Sequence, residues 1–200
     1  MKKLLMIALL ALALPAAVFA GSTDYTNSGG TLTGSNGGLM LSGSVLVAVN
    51  GNGGLITGND LGSVSFTTGA LISGSLQTGG TFASGGSFTI AGNGTGGLPD
   101  GTIFSGSFSG PVTWTMVTLA NGTHNYTLTG SLTGTTASGA TVNGVTVQLT
   151  VNTGKGYFNG TTRISSGDTN FSSVPEPGSL TLMGTGLIAL GGMIRRKLKA

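Results

Sequence analysis

Apolar and polar residues alternate in short runs through the middle of the chain. Such runs occupy 43–49, 63–67, 70–76, 87–91, 102–108, 111–117, 126–132 and 145–151. A period of two sends successive side chains to opposite faces of a strand. Val112, Trp114 and Met116 should therefore share one face and Thr113 and Thr115 the other, while Val145, Val147, Leu149 and Val151 should form one buried face. Asn50-Gly51, Asn93-Gly94 and Asn121-Gly122 separate runs, and pairs of this kind favour tight turns. No run between 21 and 173 has helical spacing. Pro111 suits the start of a strand, because its nitrogen cannot donate to a ladder. Thr133 to Ala140 is so poor in large apolar residues that it reads as an exposed loop.

About ten short strands separated by Gly- and Asn-rich turns predict an all-β body, an antiparallel β-sandwich or an open, barrel-like sheet. A β-solenoid is the alternative. An apolar residue followed by Gly-Ser or Gly-Thr recurs, as in Leu32-Thr33-Gly34-Ser35 and Leu41-Ser42-Gly43-Ser44. Stacked rungs would give the same short strands, but the spacing here is irregular.

The two ends follow other patterns. At the N-terminus, Lys2 and Lys3 precede an apolar run from Leu4 to Leu14, then Pro15, then Val18-Phe19-Ala20. This is the layout of a secretory signal helix over 1–20, cut between Ala20 and Gly21. The run is too short for a full membrane span of ~20 residues. At the C-terminus, Pro175-Glu176-Pro177 is followed by an apolar stretch from Gly178 to Ile194 and a basic end, 195–200, containing Arg195, Arg196 and Lys197. Two prolines hold the tripeptide extended, a form in which proteases and transpeptidases take their substrates. The apolar stretch is long enough, at the low end, for a transmembrane helix, with the basic residues as a cytoplasmic stop.

These three parts in this order resemble a PEP-CTERM sorting domain. The resemblance covers 174–200, with Pro175, Glu176 and Pro177 on the recognition motif, 178–194 on the membrane segment, and Arg195 and Arg196 on the basic stop. It implies processing near the tripeptide by exosortase, a multi-spanning membrane enzyme with a catalytic cysteine. It also implies a Gram-negative bacterium that makes exopolysaccharide, and a destination at the cell surface or in the biofilm matrix. A sortase tail would need Leu-Pro-x-Thr-Gly, which is absent, and a glycolipid-anchor signal would lack the basic end. A permanent C-terminal anchor shares every feature but gives no reason for the tripeptide. The expected organisation is a signal peptide over 1–20, a β-rich extracellular domain over 21–173 and the sorting tail over 174–200. Its partners would be the secretory translocon, signal peptidase and exosortase, with exopolysaccharide as a matrix ligand. The body would be held transiently in the membrane by the tail, outside the cytoplasm.

Charge changes the picture of the body. The positive net charge of +3 comes from the ends; between them only Lys155 and Arg163 oppose Asp24, Asp60, Asp100 and Asp168, so the body is formally −2 and the ends together +5. Two isolated cations do not make a phosphate-binding stripe, which excludes nucleic acid as a partner. Low charge with recurrent Val, Ile, Thr and Phe also argues against disorder, despite the many glycines. There is no cysteine, so thiol nucleophiles, thiolate metal sites and disulfides are out.

Candidate chemistry is sparse. His124 is the single histidine, in a turn-like Gly-Thr-His-Asn context that predicts a surface position. No Gly-x-Ser-x-Gly elbow accompanies it. The body has no Glu, and its aspartates sit in turn-like stretches such as Asn59-Asp60 and Asp100-Gly101, so paired carboxylates and a calcium loop are not expected. No catalytic, cofactor or metal residues are assigned, and the chain is expected not to be an enzyme. Trp114, Tyr126, Tyr157 and Phe158 could stack on sugar rings if exposed, which keeps a small carbohydrate-binding module as the alternative to a structural or adhesive role. Five Asn-x-Ser/Thr sequons, at Asn93, Asn121, Asn125, Asn159 and Asn170, follow from a composition rich in Asn and Thr.

Overall fold

The computed structural model describes residues 22–51 and 53–172. The alternating runs form strands, and residues Ser22–Ser172 make one compact unit. In chain order the strands are β1 (Ser22–Ser28), β2 (Thr31–Ser35), β3 (Gly38–Gly51), β4 (Gly54–Thr67), β5 (Leu71–Ser75), β6 (Gly79–Phe82) and β7 (Gly85–Asn93). They continue with β8 (Asp100–Phe108), β9 (Val112–Thr118), β10 (His124–Thr136), β11 (Thr141–Asn152), β12 (Thr161–Arg163) and β13 (Ser166–Ser172).

Eight of these close into a barrel. β1, β3, β4, β7, β8, β10, β11 and β13 pair in that order, each antiparallel to the next, and β13 pairs back to β1. The other five strands are branches. β2 lies on β3 and β12 on β2; β9 lies on β10, β6 on β9 and β5 on β6. The branches arise because two long strands change neighbours midway. β3 pairs with β2 through 38–42 and with β1 through 45–50, and β10 pairs with β9 through 124–129 and with β8 through 132–136.

The body is therefore neither a sandwich nor an open sheet, and it is not a solenoid. Period-two alternation is the same in all of these; what distinguishes them is which distant strands pair, and the β1–β13 and β10–β11 ladders close this ring. Thr133 to Thr136 also differ from the loop expected there. They extend β10, with Thr133 opposite Ser107 on β8 and Asn143 on β11. Small side chains suffice because strand pairing, not burial, holds this segment.

No helix occurs among the described residues, and none of their elements is long and apolar enough to cross a membrane as a helix. The signal helix expected over 1–20 and the transmembrane helix expected over 178–194 fall outside the described residues. The expected transient anchoring by a C-terminal transmembrane helix is not supported: every element among the described residues is a strand. Nor is the barrel wall suited to lipid. Its apolar side chains point inward and its Ser and Thr outward, the reverse of a barrel that crosses a membrane with its strands.

Aromatic rings fill the interior. Phe88 meets Phe66, Phe104 and Phe108 at centroid distances of 5.9–6.3 Å, and Phe171 on β13 meets Phe104 on β8 at 4.9 Å. That last contact crosses the barrel and ties its closing strand to the far wall. Inward-facing glycines leave room for the rings. A Cβ on Gly130 would lie 2.7 Å from Phe108, and one on Gly134 would lie 2.7 Å from Phe104. The core continues towards the branches, where Trp114 stacks on Tyr126 at 5.0 Å and meets Phe158 edge-on at 5.6 Å. Such pairs add ~0.5–1.5 kcal/mol each beyond their burial.

Candidate functional site

The residues that bear on function fall into three groups, two of them assigned a role by the sequence. Ala20, Gly21, Pro175, Glu176, Pro177, Arg195, Arg196 and Lys197 all lie outside the described residues. Their place in the chain is nevertheless informative. The last strand ends at Ser172, so only Ser173 and Val174 separate the barrel wall from Pro175. The first strand begins at Ser22, directly after the expected signal cleavage site, and Ser22 is in register with Ser172. Ser22 and Ser172 thus sit side by side on one rim of the barrel, opposite the end that carries the branches.

The second group is the candidate catalytic and ring-stacking residues. His124 is 7 % exposed, not a surface residue. It begins β10 instead of sitting in the turn, its backbone bonded to Gly154 and Thr153. Its Nδ1 lies 3.0 Å from Thr118 Oγ1, and its ring stacks on Tyr157 at 4.4 Å. The aspartates lie on other strands. Asp168 aligns through Gln148 with Thr129, five residues along β10 from His124, or ~17 Å at strand rise. Asp100 starts β8 at the opposite rim, near the end of β10. Asp60 lies inside β4 instead of a turn, where its carboxylate accepts from Gly62 N and Asn93 Nδ2. Among the described residues no acid therefore orients the histidine.

The aromatic residues divide in the same way. Trp114, Tyr126 and Phe158 are buried, and each has a structural partner. Trp114 Nε1 donates to Leu76 O at 2.9 Å, Tyr126 Oη donates to Gln77 O at 2.7 Å, and Phe158 N donates to Tyr126 Oη at 3.0 Å. These bonds fix the β5–β6 turn and the 153–160 loop onto β9 and β10. Only Tyr157 is exposed, at 54 %, so the four rings do not form a sugar-stacking platform.

The third group was not signalled as a site by the sequence. On the outer wall, two polar rows run across β10, β11 and β13. The first is Thr129, Gln148 and Asp168; the second is Ser131, Thr146 and Asn170. Thr113 on β9 extends the first row and is hydrogen-bonded to Thr129 through their hydroxyls. Pro111 walls one side where β9 replaces β8 as the neighbour of β10. Together they line an open groove of about 470 Å³. The rows continue past the seam to Asp24 and Thr26 on β1. Burial raises the Asp24 carboxyl above its ordinary value of 3.8, the Asp168 carboxylate adds to the rise, and the backbone bond with Tyr25 opposes it. Among the described residues, no three His, Cys, Asp or Glu side chains gather to hold a metal.

The tail decides the assignment that the body leaves open. The description of the PEP-CTERM protein-sorting motif matches residues 173–197. The chain carries a PEP-CTERM sorting motif. It is thereby marked for export and for sorting by exosortase, and the motif begins at the residue after the last barrel strand. Comparisons of the whole chain with curated proteins and with solved structures give no match.

Proposed function

We propose that this protein is a structural or adhesive component of the cell surface or biofilm matrix, acting through its sheet faces without a chemical step. The PEP-CTERM motif directly after β13 is the observation that carries the reading. In this account the secretory translocon exports the chain and signal peptidase cuts between Ala20 and Gly21. Exosortase then processes it near Pro175–Pro177, and the barrel comes to rest among exopolysaccharide.

Several features of the body support such a role. The rings of Phe66, Phe88, Phe104 and Phe108 pack against one another inside the barrel. His124 is held by Thr118 and Tyr157, and none of the aspartates among the described residues lies beside it. The closed ring gives mechanical continuity, because every barrel strand is hydrogen-bonded on both sides. The outer wall is rich in hydroxyls and amides and nearly free of charge, a surface able to hydrogen-bond within a hydrated polymer network.

Deletion and complementation of the gene test this. The deletion strain should release more biomass under shear from surface-grown films, and the full chain should restore cohesion, with labelled protein located in the matrix. Unchanged cohesion, with the protein confined inside the cell envelope, would contradict the reading.

A further inference from the structure

We propose that the outer groove over β10, β11 and β13 binds an uncharged polysaccharide, laid across the strands and held by hydrogen bonds alone. The inference rests on the matrix reading above and gives it a ligand class and a site.

The lining dictates the chemistry. Thr129, Ser131 and Thr146 offer hydroxyls that both donate and accept, Gln148 and Asn170 offer amides that do the same, and Asp168 accepts only. Such a set matches sugar hydroxyls, each of which is also donor and acceptor, and an amide or carboxylate can engage two neighbouring hydroxyls at once. Polyanions are disfavoured. The lining has no Lys or Arg, and Asp168 would repel a uronate, sulfate or phosphate, with Asp24 close by across the seam.

The geometry also suits a linear polymer. The two rows present one polar side chain per strand at ~4.8 Å intervals, close to the length of one sugar residue in an extended chain. At about 470 Å³ the groove falls within the range of small-ligand sites. It is open at the side, so a chain can pass through it. Pro111 and Thr113 border it where β9 replaces β8 beside β10. Without an aromatic platform, affinity per site should be modest and should come from repeated contacts along a polymer.

Affinity electrophoresis of the native protein, recovered from the surface fraction, tests this directly. The gels contain hydroxyethyl cellulose, dextran or galactomannan as neutral probes and alginate as the polyanion. At least one neutral polymer should retard the protein, and alginate should not. The double variant Gln148→Ala with Asn170→Ala leaves the charge unchanged. It should weaken retardation about tenfold through the loss of two amide contacts. Ser63→Ala with Ser65→Ala, on the outer face of β4, should behave as wild type. Each protein's melting temperature is measured alongside. If the double variant melts early, Thr146→Val, which keeps the side-chain shape, reads the same groove and should also weaken retardation. The proposal is overturned if no neutral polymer retards the protein, if folded groove variants are retarded like wild type, or if alginate binds more strongly. Those results, with the protein still at the surface, would leave the delivery reading standing; absence of the protein from the surface fraction would overturn the delivery reading itself.

Discussion

Ser22 opens β1 opposite Ser172, which closes β13, so the first and last residues of the barrel are neighbours in one ladder. The ladder runs through seven consecutive pairs without a shift, ending at Ser28 and Ser166. The ring can close only after its last strand has formed, and the sorting motif begins one residue later.

The seam predicts a specific weakness. A Cβ on Gly167 would lie 2.7 Å from Asn27 Oδ1, and Asn27 is buried with its amide donating to Ser44 Oγ at 2.7 Å. Gly167→Val must displace that side chain and break its bond. A loss of about 1–3 kcal/mol is expected, read as a lower urea midpoint. An unchanged midpoint would show that the seam tolerates a side chain there.

Tyr126→Phe tests the link between barrel and branches. It removes a hydroxyl that serves both Gln77 O and Phe158 N and leaves a buried amide without its acceptor. The expected cost is ~1–3 kcal/mol, together with faster hydrogen exchange at Phe158 and in the β5–β6 turn. Stability equal to wild type would mean that the ring packing alone holds these loops.

Thr169→Val should act in the opposite direction. Thr169 is fully buried between Tyr25 and Val147, and its hydroxyl finds no partner among the described residues. Replacing it with a methyl keeps the shape and removes the burial penalty, so a gain of ~1 kcal/mol is expected from chemical denaturation. A loss of stability would reveal that the hydroxyl is in use.

The outer wall predicts a pH dependence. The Asp24 pKa is raised in the fold, chiefly by burial and then by Asp168. The folded state therefore holds its proton more readily than the unfolded chain, and stability from this group falls as pH rises from its ordinary 3.8 through the raised value. Asp24→Asn should be more stable than wild type at neutral pH, with the difference vanishing in acid. Melting temperatures between about pH 3 and 7 read this. A variant less stable than wild type at neutral pH would overturn it.

Much of the strand content was legible in the sequence, because alternation is local. The buried face of Val145, Val147, Leu149 and Val151 and the shared burial of Val112 and Trp114 follow from it. Closure was not legible. The pairing of Ser22 with Ser172 spans the whole body, and nothing local announces it. His124 was misplaced for a related reason: a turn-like context gave no sign that Tyr157, far along the chain, would cover its ring. The groove was equally hidden, since Thr129, Gln148 and Asp168 come from three strands and each is an ordinary outward-facing position. The sorting motif was the reverse case, contiguous and independent of the fold.

Intact mass and fractionation of the native protein, in wild-type cells and in cells lacking exosortase, test the central claim most directly. A chain ending near Pro175–Pro177 in the surface or medium fraction of wild-type cells, with the unprocessed tail retained in cells without exosortase, is the predicted result. The same mass in the same fraction from both strains would contradict sorting by exosortase.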